Sequence, residues 1–190
     1  INDIGFETYQ KILKEAVEEL KAKEFNELFD EDSIKENRIT NFQIDTDLEV
    51  LFPDAYINNI KERLNQYQKL SEIKTKEELN KFTKVLEDRF GKLPNQTIDL
   101  IKTVELKWLG TEIGFEKIIL KNRKMICQFI SNKEDKYYKS DKFQNTLLNI
   151  QNNPNLCQIK EKKKNNEEKL LLVFNEVQTL TQAISYLKVF

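Results

Sequence analysis

The chain has 190 residues, with 31 Lys and Arg against 32 Asp and Glu and a formal net charge of -1; a dedicated nucleic-acid binder normally carries a basic excess. It has no histidine and only 4 glycines. That excludes Ser-His and Cys-His catalytic pairs and imidazole zinc sites, and neither G-x-x-x-x-G-K-[ST] nor G-x-G-x-x-G occurs.

In chain order, Phe6, Tyr9, Leu13, Ala16, Val17 and Leu20 fall on one helical face and predict an amphipathic helix over 6–24. A polar stretch around Asp30 to Asp32 follows. From Phe42 to Val50 the residues alternate in the strand period, and the run ends at Pro53. Ile57, Ile60, Leu64 and Tyr67 define a helix over about 54–70. Thr75-Lys76-Glu77-Glu78 is a capping-box pattern opening a helix with Leu79, Phe82, Leu86 and Phe90 inward. Gly91 stands where a glycine stops that helix, and Arg89 sits in its last turn, where the helix dipole favours a cation. Pro94 begins the next helix, with Ile98, Ile101, Val104 and Trp108 apolar, and Gly114 ends it.

After Gly114 the period changes. Phe115 to Leu120 and Met125 to Ile130 read as strands joined by Lys121-Asn122-Arg123-Lys124. Ser140-Asp141 caps a short helix carrying Phe143, Leu147 and Ile150. Leu156 to Lys160 and Lys169 to Phe174 read as a second hairpin around the polar loop from Lys162 to Glu168. Asn175 is expected to cap a last helix with Val177, Leu180, Ile184 and Leu187. The class is α+β: a mostly helical N-terminal half with a short strand segment, then two strand-strand-helix units.

Few residues suggest chemistry. Asp45 and Asp47 are two apart on a predicted strand, so they read as an oxygen site for Mg²⁺, as an acid-base pair, or as the wet face of the strand. Lys160, Lys162, Lys163 and Lys164 make a basic hairpin tip, a phosphate contact or a solvated loop. Cys127 and Cys157 alternate with apolar neighbours and read as buried thiols; Trp108 reads as a packing residue, in the core or between domains. Residues 1–36 hold 11 Asp/Glu and 5 Lys/Arg, whereas residues 117–169 hold 13 Lys/Arg and 6 Asp/Glu, an asymmetry that can steer docking between parts of a larger protein. No signal peptide is visible, the longest apolar run is far short of the ~20 residues that span a bilayer, and two unpaired cysteines suit a reducing cytoplasm. A first residue other than Met suggests a piece of something longer.

The strongest signal is a resemblance. Ile4-Gly5-Phe6-Glu7-Thr8-Tyr9 through Leu13 is similar to the I-G-F-x-x-Y-x-x-[IL]-L segment that follows the motor in bacterial transcription-repair coupling factors (the Mfd family). Leu51-Phe52-Pro53-Asp54-Ala55-Tyr56-Ile57 resembles the family's L-x-P-x-x-Y-I element, and Arg63-Leu64-Asn65-Gln66-Tyr67 its R-L-x-x-Y. Glu87-Asp88-Arg89-Phe90-Gly91-Lys92-Leu93-Pro94 resembles its E-L-x-D-R-F-G-x-L-P signature, with Val85-Leu86-Glu87-Asp88 standing at its start, and Leu109-Gly110 with Gly114 to Ile118 is close to its A-x-x-L-G-I-x-K-[IL] tail. The resemblance covers residues 4–120; beyond them element order alone supports it. It implies that 1–24 is a connecting helix after an absent motor and that 25–190 is the C-terminal TRCF-type domain, with a sub-boundary near 114. In that family the domain packs on a UvrB-like N-terminal module, hides the surface that binds UvrA and restrains a DNA-translocating motor. RNA polymerase and DNA are met through the parent protein, and ATP and Mg belong to its motor. The fragment itself is expected to need no cofactor, metal or catalytic residue and to touch no membrane. The alternative is an accessory domain that contacts nucleic acid through its basic section.

Overall fold

The computed structural model describes residues 42–164 and 167–190. The helix predicted over 6–24, with Gly5, Phe6 and Tyr9, lies outside the described residues. Within them the chain runs β1 (Gln43–Thr46), α1 (Ile60–Glu72), α2 (Lys76–Phe90), α3 (Asn95–Ile113), β2 (Phe115–Lys121), β3 (Lys124–Phe129), α4 (Asp141–Asn152), β4 (Cys157–Lys164), β5 (Glu167–Asn175) and α5 (Leu180–Leu187). The expected α+β class is what the structure shows.

Local chemistry sets most boundaries. Thr75 Oγ1 accepts the Glu78 N–H while Glu78 reaches back to the Thr75 N–H, the reciprocal capping box read from the sequence. Gly91 at φ 85° and Gly114 at φ 101° end α2 and α3 in conformations that L side chains avoid. Four expectations shift. The polar loop expected from Lys162 to Glu168 is largely paired strand, since β4 runs on to Lys164 and β5 already begins at Glu167. The helix expected over about 54–70 begins at Ile60, because Pro53 holds a turn in which its carbonyl accepts the Tyr56 and Ile57 N–H groups, and Asn59 caps the helix instead. The strand expected over 42–50 stops at Thr46, whose hydroxyl accepts the Leu48 N–H. Asn175 is the last residue of β5 and not a helix cap; Glu176 turns the chain at φ 57°, and Thr179 caps α5 by accepting the Gln182 N–H. Between β2 and β3 the turn is tight, with Asn122 and Arg123 both at positive φ, as a two-residue type I′ hairpin requires.

The strands form one sheet of order β1-β2-β3-β5-β4, parallel only at β1–β2. One face is covered: Ile118, Leu120, Met125, Cys127, Leu172 and Phe174 are at most 2 % exposed. Phe174 stacks on Tyr186 of α5, Phe129 meets Phe143 of α4 edge to face, and Ile118 lies against the Gly110 turn of α3. All three helices therefore pack on that face, two layers deep.

Candidate interaction site

The described motif residues of 51–57, 63–67 and 88–94 converge where the 51–57 segment meets α1 and α2, whereas Leu109-Gly110 and Gly114 to Ile118 lie apart, at the junction of α3 and β2. Phe52 donates its N–H to Tyr67 Oη at 2.8 Å, and the two rings meet edge to face at 4.6 Å. Tyr56 sends its hydroxyl toward the carbonyls of Leu86 (3.2 Å) and Gly91 (3.0 Å), tying the 53–56 turn to the end of α2. Burial and the Glu87 carboxylate raise its pKa, so it stays a donor. Arg63 donates to the Ile57 carbonyl at 3.0 Å and pairs with Asp54 at 2.6 Å while its own side chain is only 14 % exposed. Arg89 bonds Glu62 of α1 at 3.0 Å and lies 5.0 Å from the centre of the Phe90 ring, which itself meets Tyr56 edge to face. A hydrogen bond from Gln66, then the Arg89 charge, lowers the Glu62 pKa. Pro94 starts α3, and Asp88 is exposed.

The tyrosines and arginines are brought together, but as a frame: the polar group of each goes to a backbone carbonyl, a neighbouring N–H or a surface carboxylate. The residues missed by sequence reasoning are the partners, Asp54, Glu62 and Gln66. Arg89 at a helix end demands a carboxylate, yet only the antiparallel packing of α1 on α2 says which. Around the frame, Leu51, Ile60 and Val85 are the large apolar side chains left open, at 39 %, 64 % and 48 % exposure.

The other candidates are structural. Asp45 pairs with Lys121, and Asp47, just beyond β1, accepts the Asn122 N–H at 2.9 Å, so both carboxylates brace the β2–β3 turn. Among the described residues no group of three or more His, Cys, Asp or Glu could hold a metal ion. Cys127 and Cys157 are buried free thiols, and burial pushes the Cys127 pKa well up, which leaves it unreactive. Trp108 is half-buried and lines a groove of about 430 Å³ between α2 and α3, floored by Leu79, Leu93, Ile98 and Ile101. In the basic tip, Lys163 and Lys133 both clasp Glu168 and push its pKa down to about 2. No helix among the described residues is long and apolar enough to cross a membrane.

Comparison with known proteins places this frame. Residues 46–140 match the TRCF domain. The chain is 34 % identical over 120 residues to the transcription-repair-coupling factor of Haemophilus influenzae, covering 62 % of this chain and 10 % of that protein. Against the Escherichia coli factor identity is 30 % over 115 residues, 60 % of this chain and 10 % of that one; against the Bacillus subtilis factor it is 31 % over 107, 56 % and 8 %. The chain thus spans a tenth or less of the length of these relatives. A crystal structure of the C-terminal domain of a transcription-repair coupling factor superposes with a TM-score of 0.59 at 16 % identity, covering 80 % of this chain and 93 % of that one, a likeness of fold.

Proposed function

The chain belongs to the TRCF domain family, and from that premise we propose that it is the C-terminal regulatory domain of a transcription-repair coupling factor. In this reading it docks on a UvrB-like N-terminal module, masks UvrA binding and restrains the DNA translocase motor. RNA polymerase and DNA are engaged by other parts of the parent, and ATP and Mg by its motor. The observation that carries the proposal is the frame of Tyr56, Arg63, Tyr67 and Arg89. Its polar groups fix one backbone shape and leave Ile60 and Val85 exposed on the two helices it joins. A fixed, partly apolar surface suits a docking role.

The test is deletion of residues 42–190 from the full-length parent. Basal ATPase without RNA polymerase and affinity for UvrA should both rise. A clamp of about 1.4 kcal/mol already shifts a two-state equilibrium tenfold, and couplings of 1–3 kcal/mol are usual. Unchanged ATPase together with unchanged UvrA affinity would refute the proposal.

A further inference from the structure

The second face of the sheet has no helix on it among the described residues, and its side chains are sorted into rows. The register places Ile119 opposite Ile126 and Ile126 opposite Val173, so three β-branched side chains cross the three central strands in line. On one side of that row stands Lys124, opposite Lys121, which is paired with Asp45. On the other stand Lys117, opposite Gln128, and Lys160, opposite Leu171. Lys162, opposite Lys169, extends the basic margin along the β4–β5 ribbon. Lys124, Lys160 and Lys162 are exposed, Ile119, Ile126 and Leu171 are partly buried, and Val173 is buried, at 8 % exposure. Acids are few on this face: Asp45 is taken by Lys121, Glu116, at the β2 bulge, is held by Gln128 and Ser131, and Glu167 stands at the far end of the ribbon in register with Lys164.

From this basic-apolar-basic pattern we infer that the open sheet face is a docking surface for an acidic amphipathic helix of a partner, laid across the strands. The dimensions agree. The apolar row spans roughly 10 Å over three strands, and the lysine rows stand roughly 7 Å to either side of it, two residues along each strand. A helix with its side chains is about 10–12 Å across. An apolar stripe seated on Ile119 and Ile126, with the buried Val173 as the floor at the end of the row, therefore carries glutamates on its two flanks over Lys124 on one side and Lys117 and Lys160 on the other. A nucleic-acid backbone fits less well, because phosphates would lie over the apolar row. No aromatic side chain on this face, among the described residues, offers a base a stacking platform.

The test uses the 190-residue chain, isotope-labelled, and a synthetic helical peptide of about five turns with a leucine stripe flanked by glutamate on both sides. A peptide with lysine in place of glutamate and a short duplex DNA are the alternative ligands. The expected result is saturable amide shifts centred on Ile119, Ile126 and Val173 with the glutamate peptide. Affinity should fall several-fold between about 50 and about 300 mM salt, and about tenfold in Lys124→Glu/Lys160→Glu with its melting temperature unchanged. If that variant is destabilised, Lys124→Gln/Lys160→Gln serves in its place. Equal binding of the lysine peptide, shifts centred elsewhere, or binding of the duplex with no binding of the glutamate peptide would each overturn the inference.

Discussion

Replacing Gly114 by alanine separates two penalties that glycine avoids at once. The residue sits at φ 101°, and left-handed backbone costs an L residue about 1–2 kcal/mol. A Cβ built there also overlaps the Tyr137 ring. That ring cannot simply step aside: its hydroxyl donates to the Ile113 carbonyl, and it packs on Tyr138, Phe143 and Phe129 at centroid distances of 5.4, 5.3 and 6.3 Å. Displacing it forfeits one hydrogen bond, about 1 kcal/mol, and weakens aromatic pairs worth about 0.5–1.5 kcal/mol each. Gly114→Ala should therefore cost about 3–5 kcal/mol, a melting temperature lower by roughly 10 °C in a chain of this length. The decisive assay is a double-mutant cycle in urea with Tyr137→Ala. In that background the overlap is gone and only the backbone penalty of Gly114→Ala remains, so the two changes should be non-additive by at least about 1 kcal/mol. Additivity, or a single-mutant cost under about 1 kcal/mol, would show that the Tyr137 contact is not what demands glycine.

Gly91 is the contrasting case: it lies at φ 85°, ψ -166°, with nothing within 4 Å of a built Cβ, so Gly91→Ala should cost only the backbone strain of about 1–3 kcal/mol by urea denaturation. Tyr67→Phe keeps the edge-to-face ring but strands the Phe52 N–H; it should lower stability by about 1–3 kcal/mol, with an intact near-ultraviolet spectrum reporting retained packing. Acid should destabilise the fold: hydrogen bonds from Lys133 and Lys163 hold the Glu168 pKa near 2, below its ordinary 4.5, so the unfolded chain takes up that proton first. The contribution is present above pH 4.5 and lost on falling toward 2; urea midpoints measured across that window should drop less in Glu168→Gln. At the alkaline end the sign reverses, since burial raises Tyr137 to about 12 and the unfolded phenol ionises first. Stability should decline above pH 10, and less steeply in Tyr137→Phe.

What could be read from the residues alone was what local chemistry decides. The Thr75–Glu78 box, the Ser140 cap, Gly91 and Gly114 were legible because each satisfies orphan backbone groups with atoms three or four residues away. The misplaced boundaries have different causes. Ile57 continues the apolar period of α1, so periodicity extends the helix through a stretch that Pro53 has already turned. Asn175 is a plausible cap by type, but strand pairing with Lys124 claims it, and the Thr179–Gln182 pair four residues on does the capping. Pairing between distant segments overrode a local capping preference at the end of β5, whereas β1 is cut short locally, by the Thr46 hydroxyl that accepts the Leu48 N–H.

The frame and the open face differ in how they were hidden. The frame residues were conspicuous as motif letters, but their roles were not, because Arg63 and Arg89 find Asp54 and Glu62 only through a turn and an antiparallel helix pair. The open face left no letters at all. Each strand shows an ordinary alternation, and each lysine alone reads as solvated surface. The rows exist only because β5, not β4, lies beside β3: exchanging the two would put Gln158 where Val173 continues the Ile119–Ile126 line. A surface made of single residues from three strands is a property of strand order, and strand order is a long-range outcome that local periodicity does not carry.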